Sequence, residues 1–323
     1  MIKKLIVLGS FAVCSFAEIS VTTTIFPLYD AVKNIGGDKV LLNNLIPFGV
    51  EAHDFEPKPK DMATLSKADL FIVSSGAFEP WSKKVVNSLK IGTKTVDMSQ
   101  KVKLLKIKDD DHGHRHGHSH ASYDPHYWLS IDNYMTVVKE TAAVLSKADP
   151  ANAKVYETNL AEYIKKLSLL KTEYEALKTC KNKKVIVNHD AFGYLSNDYG
   201  ITQYSISGMS PESKPSAKQI AKLVEIVKKE KINTVFFEEF ASDKVAKTIA
   251  KEANAKTDTL RPVENITVEE SKKGVGYIDV MRQNLSKLKV LWIADKICRC
   301  GDRDRKSIIQ RYIDKRLCRY QAG

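Results

Sequence analysis

The chain has 323 residues, 43% of them apolar, which is enough for two domains of ordinary size with sizeable cores. Its formal charge of +12 is dispersed: Lys3 and Lys4 carry +2, the segment after Leu291 carries +5, and the remaining +5 is spread widely. With no Arg-rich or aromatic-interleaved patch, nucleic-acid binding is disfavoured.

In chain order, Lys3 and Lys4 precede an apolar stretch from Leu5 to Val13, and Ser15-Phe16-Ala17 offers small residues where a signal peptidase reads. A signal peptide over 1–17 is expected, with cleavage after Ala17 and export of a soluble chain to the periplasm. Cys14 follows Val13 rather than a small residue, which disfavours lipid attachment there. No later segment approaches the roughly 20 apolar residues of a transmembrane helix.

From Glu18 the pattern is strand and helix in alternation. Strands are expected at Ile19 to Thr24, Val40 to Ile46, Leu70 to Ser74 and Lys94 to Val96; helices at Leu28 to Ile35, Asp61 to Ser66 and Trp81 to Leu89. Val102 to His120 is polar and without hydrophobic period, a long loop of the kind that carries function or stays unpacked. Helical spacing then dominates from Asp132 to Ala148 and from Ala151 past Leu177, with Leu160, Ile164, Leu167, Leu170, Tyr174 and Leu177 on one side. A helix of about thirty residues is about 45 Å long, which suits a spine between two lobes or an ordinary long core helix. Alternation returns with strands at Lys184 to Asn188, Ile201 to Ser205 and Thr234 to Phe237, and helices at Ala217 to Glu230, Ser242 to Asn254 and Tyr277 to Lys289. The expected organisation is an N-terminal α/β lobe over 18–130 with a His-rich loop at 109–120, a helical region over 131–181 with the linking helix, a C-terminal α/β lobe over 182–290, and an atypical tail over 291–323.

Histidine usage singles out the chemistry. Five of the eight histidines, His112, His114, His116, His118 and His120, alternate directly behind Asp109, Asp110 and Asp111. Such a tract is too polar for a core, so metal binding is its natural reading, with a solvated His-rich loop as the alternative; a tract concentrates metal but rarely selects it. The other three are His53, His126 and His189, each where a strand would end or a loop begin. Ligands of open α/β sheets bind outside the carboxyl ends of the strands. One such histidine is commonly structural, but three at comparable positions point to a site. Neutral imidazole suits zinc, whereas manganese and calcium favour oxygen; nickel and copper stay open. Asp54, Asp124, Asp190 and Glu238 are near enough in sequence to orient the rings.

Several segments in a fixed order carry a resemblance. They are Thr24-Ile25-Phe26-Pro27, Gly49 to Pro59 around His53, Asp124-Pro125-His126-Tyr127-Trp128-Leu129, Asn188 to Tyr194 around His189, Ser210-Pro211-Glu212 with Pro215-Ser216, Phe236-Phe237-Glu238, and Tyr277 to Leu285. In these the chain resembles the metal-specific solute-binding proteins of ABC transporters, the cluster A-I family, and within it the zinc-uptake branch. The resemblance implies an α/β fold of two lobes with parallel-type sheets, joined by a long rigid backbone helix, with metal in the inter-lobe cleft. It implies His53, His126 and His189 as ligands of a transported zinc ion. It also implies an acidic fourth ligand before the closing segment, for which Asp258 is the best match; Glu51 and water are alternatives. Manganese-type relatives carry Glu where this chain has His189, and a long His-rich acidic insertion is typical of the zinc branch. The implied partner is an ABC transporter membrane permease, and the implied state is a monomer.

The competing classes are a manganese or other divalent-metal transport protein or adhesin, and a zinc hydrolase. No expected helix carries the i, i+4 His pair of a metalloprotease, and no enzymatic activity is expected. The segment after Lys289 departs from the family pattern: Cys298, Cys300 and Cys318 lie in a basic extension, and with Cys180 they allow three disulfide pairings, none favoured.

Overall fold

The computed structural model of the chain describes residues 18–107, 123–180 and 183–297. The expected signal peptide, the tract from His112 to His120, and Cys298, Cys300 and Cys318 lie outside the described residues.

Two four-stranded parallel sheets share one topology. The first lobe runs β1 (Ile19–Thr23), α1 (Phe26–Gly36), β2 (Val40–Asn44), α2 (Pro59–Lys67), β3 (Leu70–Val73), α3 (Ser82–Leu89) and β4 (Thr95–Asp97). Two helices come next, α4 (Ile131–Ala148) and α5 (Ala153–Glu175). The second lobe runs β5 (Lys184–Val187), α6 (Gly193–Tyr199), β6 (Thr202–Ser205), α7 (Ala217–Lys229), β7 (Thr234–Phe237), α8 (Lys244–Ala253) and β8 (Lys256–Thr259). A short α9 (Val268–Lys272) and a long α10 (Tyr277–Ile297) close the chain's described part. Strand order is β2-β1-β3-β4 in one sheet and β6-β5-β7-β8 in the other, every pairing parallel. The chain therefore reverses direction across each sheet between β1 and β3 and between β5 and β7, the place where such sheets bind ligands.

The period-2 alternation of the strands divides the apolar residues into three clusters. On β3, Leu70 and Ile72 join a core common to both lobes, while Phe71 and Val73 face a separate cluster with Leu65, Val85 and Ile91. On β5, Val185 and Val187 join the common core, while Ile186 faces Leu223, Val227 and Ile249. One continuous core thus runs from the first lobe through the linking helices into the second.

The linking helix α5 spans 23 residues, or about 34 Å at 1.5 Å per residue. It is shorter than its sequence pattern predicts, because the chain tightens into a 3-10 turn over Ala176–Thr179. Tyr156, Tyr163, Leu167, Leu170 and Tyr174 form its buried stripe, which Leu177 continues in the 3-10 turn, and the helix packs on α4, α1 and α10. Leu160 and Ile164 flank the stripe half-buried, with Tyr156 and Tyr163 in its centre line. Tyrosine suits the position because each ring fills core while its hydroxyl finds a partner: Tyr163 donates to the buried Asp30 and Tyr174 to the Met281 carbonyl at 2.7 Å.

Four elements go beyond the sequence reading, among them the short α9. β8 is an edge strand whose residues Lys256, Thr257 and Asp258 are all exposed, so it has no apolar alternation to betray it. α6 is only seven residues long, and α10 continues past Lys289 to Ile297. Among the described residues no helix is long and apolar enough to cross a membrane.

Candidate metal centre

His189 stands two residues past the end of β5, and Glu238 directly past the end of the neighbouring β7. Parallel pairing brings the two together: the Glu238 carboxylate accepts from His189 Nδ1 at 2.6 Å and from its backbone N–H at 3.2 Å. His126, at the start of the 3-10 turn Tyr127–Leu129, is held in the same manner. Asp124 Oδ1 accepts from its Nδ1 at 2.8 Å and from its backbone N–H at 2.9 Å. A carboxylate on Nδ1 fixes the tautomer that turns a bare Nε2 inward when the ring is neutral. Gly193, at the start of α6, permits this in part, since a Cβ there would collide with Asp124 Oδ2.

His53 comes from the long loop between β2 and α2, and its backbone N–H donates to Glu51 Oε1 at 3.1 Å. Its ring rests on Phe78 with centroids 4.5 Å apart, and Phe78 in turn meets Trp128 edge-on at 5.3 Å. Trp128 is fully buried and also borders His126. These rings form a dry wall on one side of the three histidines.

The fourth group is Glu264. Its Oε1 lies 3.2 Å from His53 Nε2, 3.3 Å from His126 Nε2 and 3.5 Å from His189 Nε2, and the last two nitrogens are 3.2 Å apart. Among the described residues, His53, His126, His189 and Glu264 are the one group of three or more His, Cys, Asp or Glu whose ligand atoms converge, all within 4.8 Å of one another. His126, His189 and Glu264 are buried.

Charge and burial oppose each other here. Burial lowers the His189 imidazole, but Glu238 and Glu264 outweigh it and bring its pKa up to about 10. Burial likewise opposes the proton on His126, and Asp124 and Glu264 override it. Glu264 is desolvated, yet the three histidines hold it well below the usual carboxylate range. Imidazole binds a metal in its neutral form, so a cation at this cluster competes with protons. Glu51 is half-buried at the edge of the site, its carboxyl pushed up to about 8 by burial and by Glu264.

Asp258 needs correction. It sits on β8, paired in register with Phe236, exposed, and 3.1 Å from Lys287 Nζ. The structure does not bring it to the cluster; the acid that arrives there lies six residues further on, past the strand's carboxyl end. The same rule that drew attention to His189 would have found Glu264 had β8 been legible. Of the four candidate orienting acids, Asp124 and Glu238 touch the rings, Asp190 Oδ1 accepts from Gln203 instead, and Asp54 is exposed.

Residues 21–290 match the family model described as zinc-uptake complex component A, periplasmic. The chain belongs to this zinc-uptake family. It is 42% identical over 277 residues to the high-affinity zinc uptake system protein ZnuA of Bacillus subtilis, covering 84% of this chain and 87% of that protein. Identity is 39% over 277 residues to the zinc-binding lipoprotein AdcA of Streptococcus pneumoniae, of whose length the chain spans 55%. The crystal structure of the Zn(II)-bound ZnuA-like domain of that AdcA superposes with a TM-score of 0.73 at 36% identity, covering 85% of this chain and 99% of that domain. The two-lobed α/β architecture is the family's.

Proposed function

We propose that this chain is an extracytoplasmic solute-binding protein that captures one zinc ion between His53, His126, His189 and Glu264 and delivers it to the permease of an ABC importer. The observation that carries the reading is spacing. Four donors around zinc at about 2.0–2.1 Å in a tetrahedron stand about 3.3 Å from one another; Glu264 Oε1 stands 3.2 to 3.5 Å from the three Nε2 atoms, those of His126 and His189 are 3.2 Å apart, and all four donors lie within 4.8 Å of one another. Three imidazoles with one carboxylate favour zinc over manganese, whose sites are richer in oxygen.

The same count favours binding over catalysis. Catalytic zinc sites keep a position open for water, whereas three rings and Glu264 fill a four-coordinate shell. With the uptake role named for its relatives, this zinc is read as cargo. Names of relatives support the route: high-affinity uptake for the Bacillus protein, and a zinc-binding lipoprotein for the streptococcal one. Export of this chain, cleavage after Ala17, action as a monomer and a collecting role for the His112 to His120 tract belong to the same proposal. The core shared by both lobes supports release by movement of loops and ligands rather than by wide opening.

Titration calorimetry of the exported chain with zinc and with manganese tests this reading. One tight zinc site and far weaker manganese binding are expected. Equal affinity for both metals, or no site tighter than the tract provides, would refute it.

A further inference from the structure

Between β8 and α9 the chain leaves the second lobe and crosses the cleft as a strap over residues 261–266, carrying Glu264. Hydrogen bonds fasten it along its length. The Arg261 backbone N–H donates to Asn284 Oδ1 at 3.0 Å and its carbonyl accepts from Asn284 Nδ2 at 2.7 Å, which anchors the strap's start on α10. Beyond that point the partners belong to the first lobe and its adjoining turn. Trp128 Nε1 donates to the Pro262 carbonyl at 2.8 Å, Phe26 N–H to the Glu264 carbonyl at 3.1 Å, and Gly49 N–H to the Ile266 carbonyl at 2.9 Å.

Asn265 makes the tie that involves its side chain. It is 3% exposed, and its Nδ2 donates to both the Pro47 and Val50 carbonyls at 2.8 Å, while its Oδ1 accepts from Ile266 N–H at 2.9 Å. Both amide hydrogens are thereby spent on the turn that leads into His53. Gly49, inside that turn, has φ of +84°, a conformation that suits glycine. Directly before Glu264, Val263 is buried with φ of +64°, an unfavourable value for a β-branched residue that persists only when its surroundings impose it.

We propose that Asn265 is a positioning residue: by clasping the 47–50 turn against the strap, it fixes the separation of His53 from Glu264 and so the size of the site. This inference rests on the four-ligand reading above. Although the strap belongs in sequence to the second lobe, it holds Glu264 in the frame of the first, leaving His189 as the ligand contributed from the second lobe's own sheet.

A double-mutant cycle on the full exported chain tests it, with zinc affinity read by competition against a chromophoric chelator and geometry read from the visible spectrum of the Co(II)-substituted protein. Asn265→Ala is expected to weaken zinc by roughly 10–100-fold, as outer-shell changes do, and to lower the intense visible absorption of four-coordinate cobalt. In a Glu264→Gln background the same change should cost less than about 3-fold, because the group being positioned is gone. Should Asn265→Ala fail to fold, Asn265→Ser, which keeps a donor, is measured in its place with the same expectations at smaller amplitude. Equal losses in both backgrounds, or an unchanged cobalt spectrum in the single variant, would overturn the role of Asn265 alone. Wild-type affinity in Glu264→Gln by itself would overturn the four-ligand reading and this one with it.

Discussion

The two lobes share a strand order yet use their equivalent strand ends differently. In the second, the residues just past β5 and β7 are His189 and Glu238, an imidazole and the carboxylate that orients it. In the first, the ends of β1 and β3 carry Thr24, Ser74 and Ser75, which surround the fully buried Glu79; its Oε2 accepts from the Ser74 and Ser75 backbone N–H groups at 2.9 and 3.0 Å. Burial pushes that carboxyl up to about 8, opposed by its hydrogen bonds. Topology offers the same crevice twice, and side-chain chemistry decides which becomes a ligand site and which is sealed. The first lobe instead sends its histidines from long loops, His53 after β2 and His126 beyond β4.

Five changes should sharpen that contrast. The largest effect is expected from His189→Ala, which removes the ligand at the second lobe's strand end; zinc affinity measured by chelator competition should fall by more than the roughly 100-fold upper range of an outer-shell change. Next, Glu264→Gln should weaken zinc strongly while Asp258→Asn stays within about 3-fold of the parent, since a surface change away from the site perturbs little. A loss in Asp258→Asn equal to that in Glu264→Gln would return the fourth position to Asp258. Glu238→Gln should cost roughly 10–100-fold by freeing the His189 ring, without altering the number of tight sites seen by calorimetry.

The smallest effect on zinc belongs to Glu79→Gln, whose signature lies in stability. The folded-state pKa of Glu79 is raised from 4.5 to about 8. Its protonated form therefore contributes stability that is complete below about pH 4.5 and is lost as pH rises through about 8. Thermal melts from pH 5 to 9 should show the parent losing ground to Glu79→Gln as pH increases, with zinc affinity alike in both. A constant difference in melting temperature across that range would show that Glu79 is not the titrating group.

Much of the architecture is legible in the residues. The alternation of β-rich and amphipathic runs identifies two α/β lobes, because parallel strands buried on both faces need continuous apolar sequence. His189 is visible for the same reason: Val185-Ile186-Val187 is an unmistakable buried strand, and the histidine two residues beyond it must sit at the strand's carboxyl end. Glu264 is hidden because β8, on the sheet's edge, is polar, so nothing marks Asp258 as lying within a strand or residues 261–266 as the strap beyond it. Asn265 and Gly193 cannot be read at all. Their roles depend on contacts with residues far away in sequence, Asn265 with Pro47 and Val50, and Gly193 with Asp124.

The central claim, that four named side chains hold one zinc, is tested most directly by crystallography of the zinc-loaded chain with anomalous data collected at the zinc edge. A single strong peak in the cleft is expected, bounded by Nε2 of His53, His126 and His189 and a carboxylate oxygen of Glu264 at about 2.0–2.2 Å. A cleft peak lacking Glu264 or His189 from its shell, or zinc held at Asp258 instead, would contradict it.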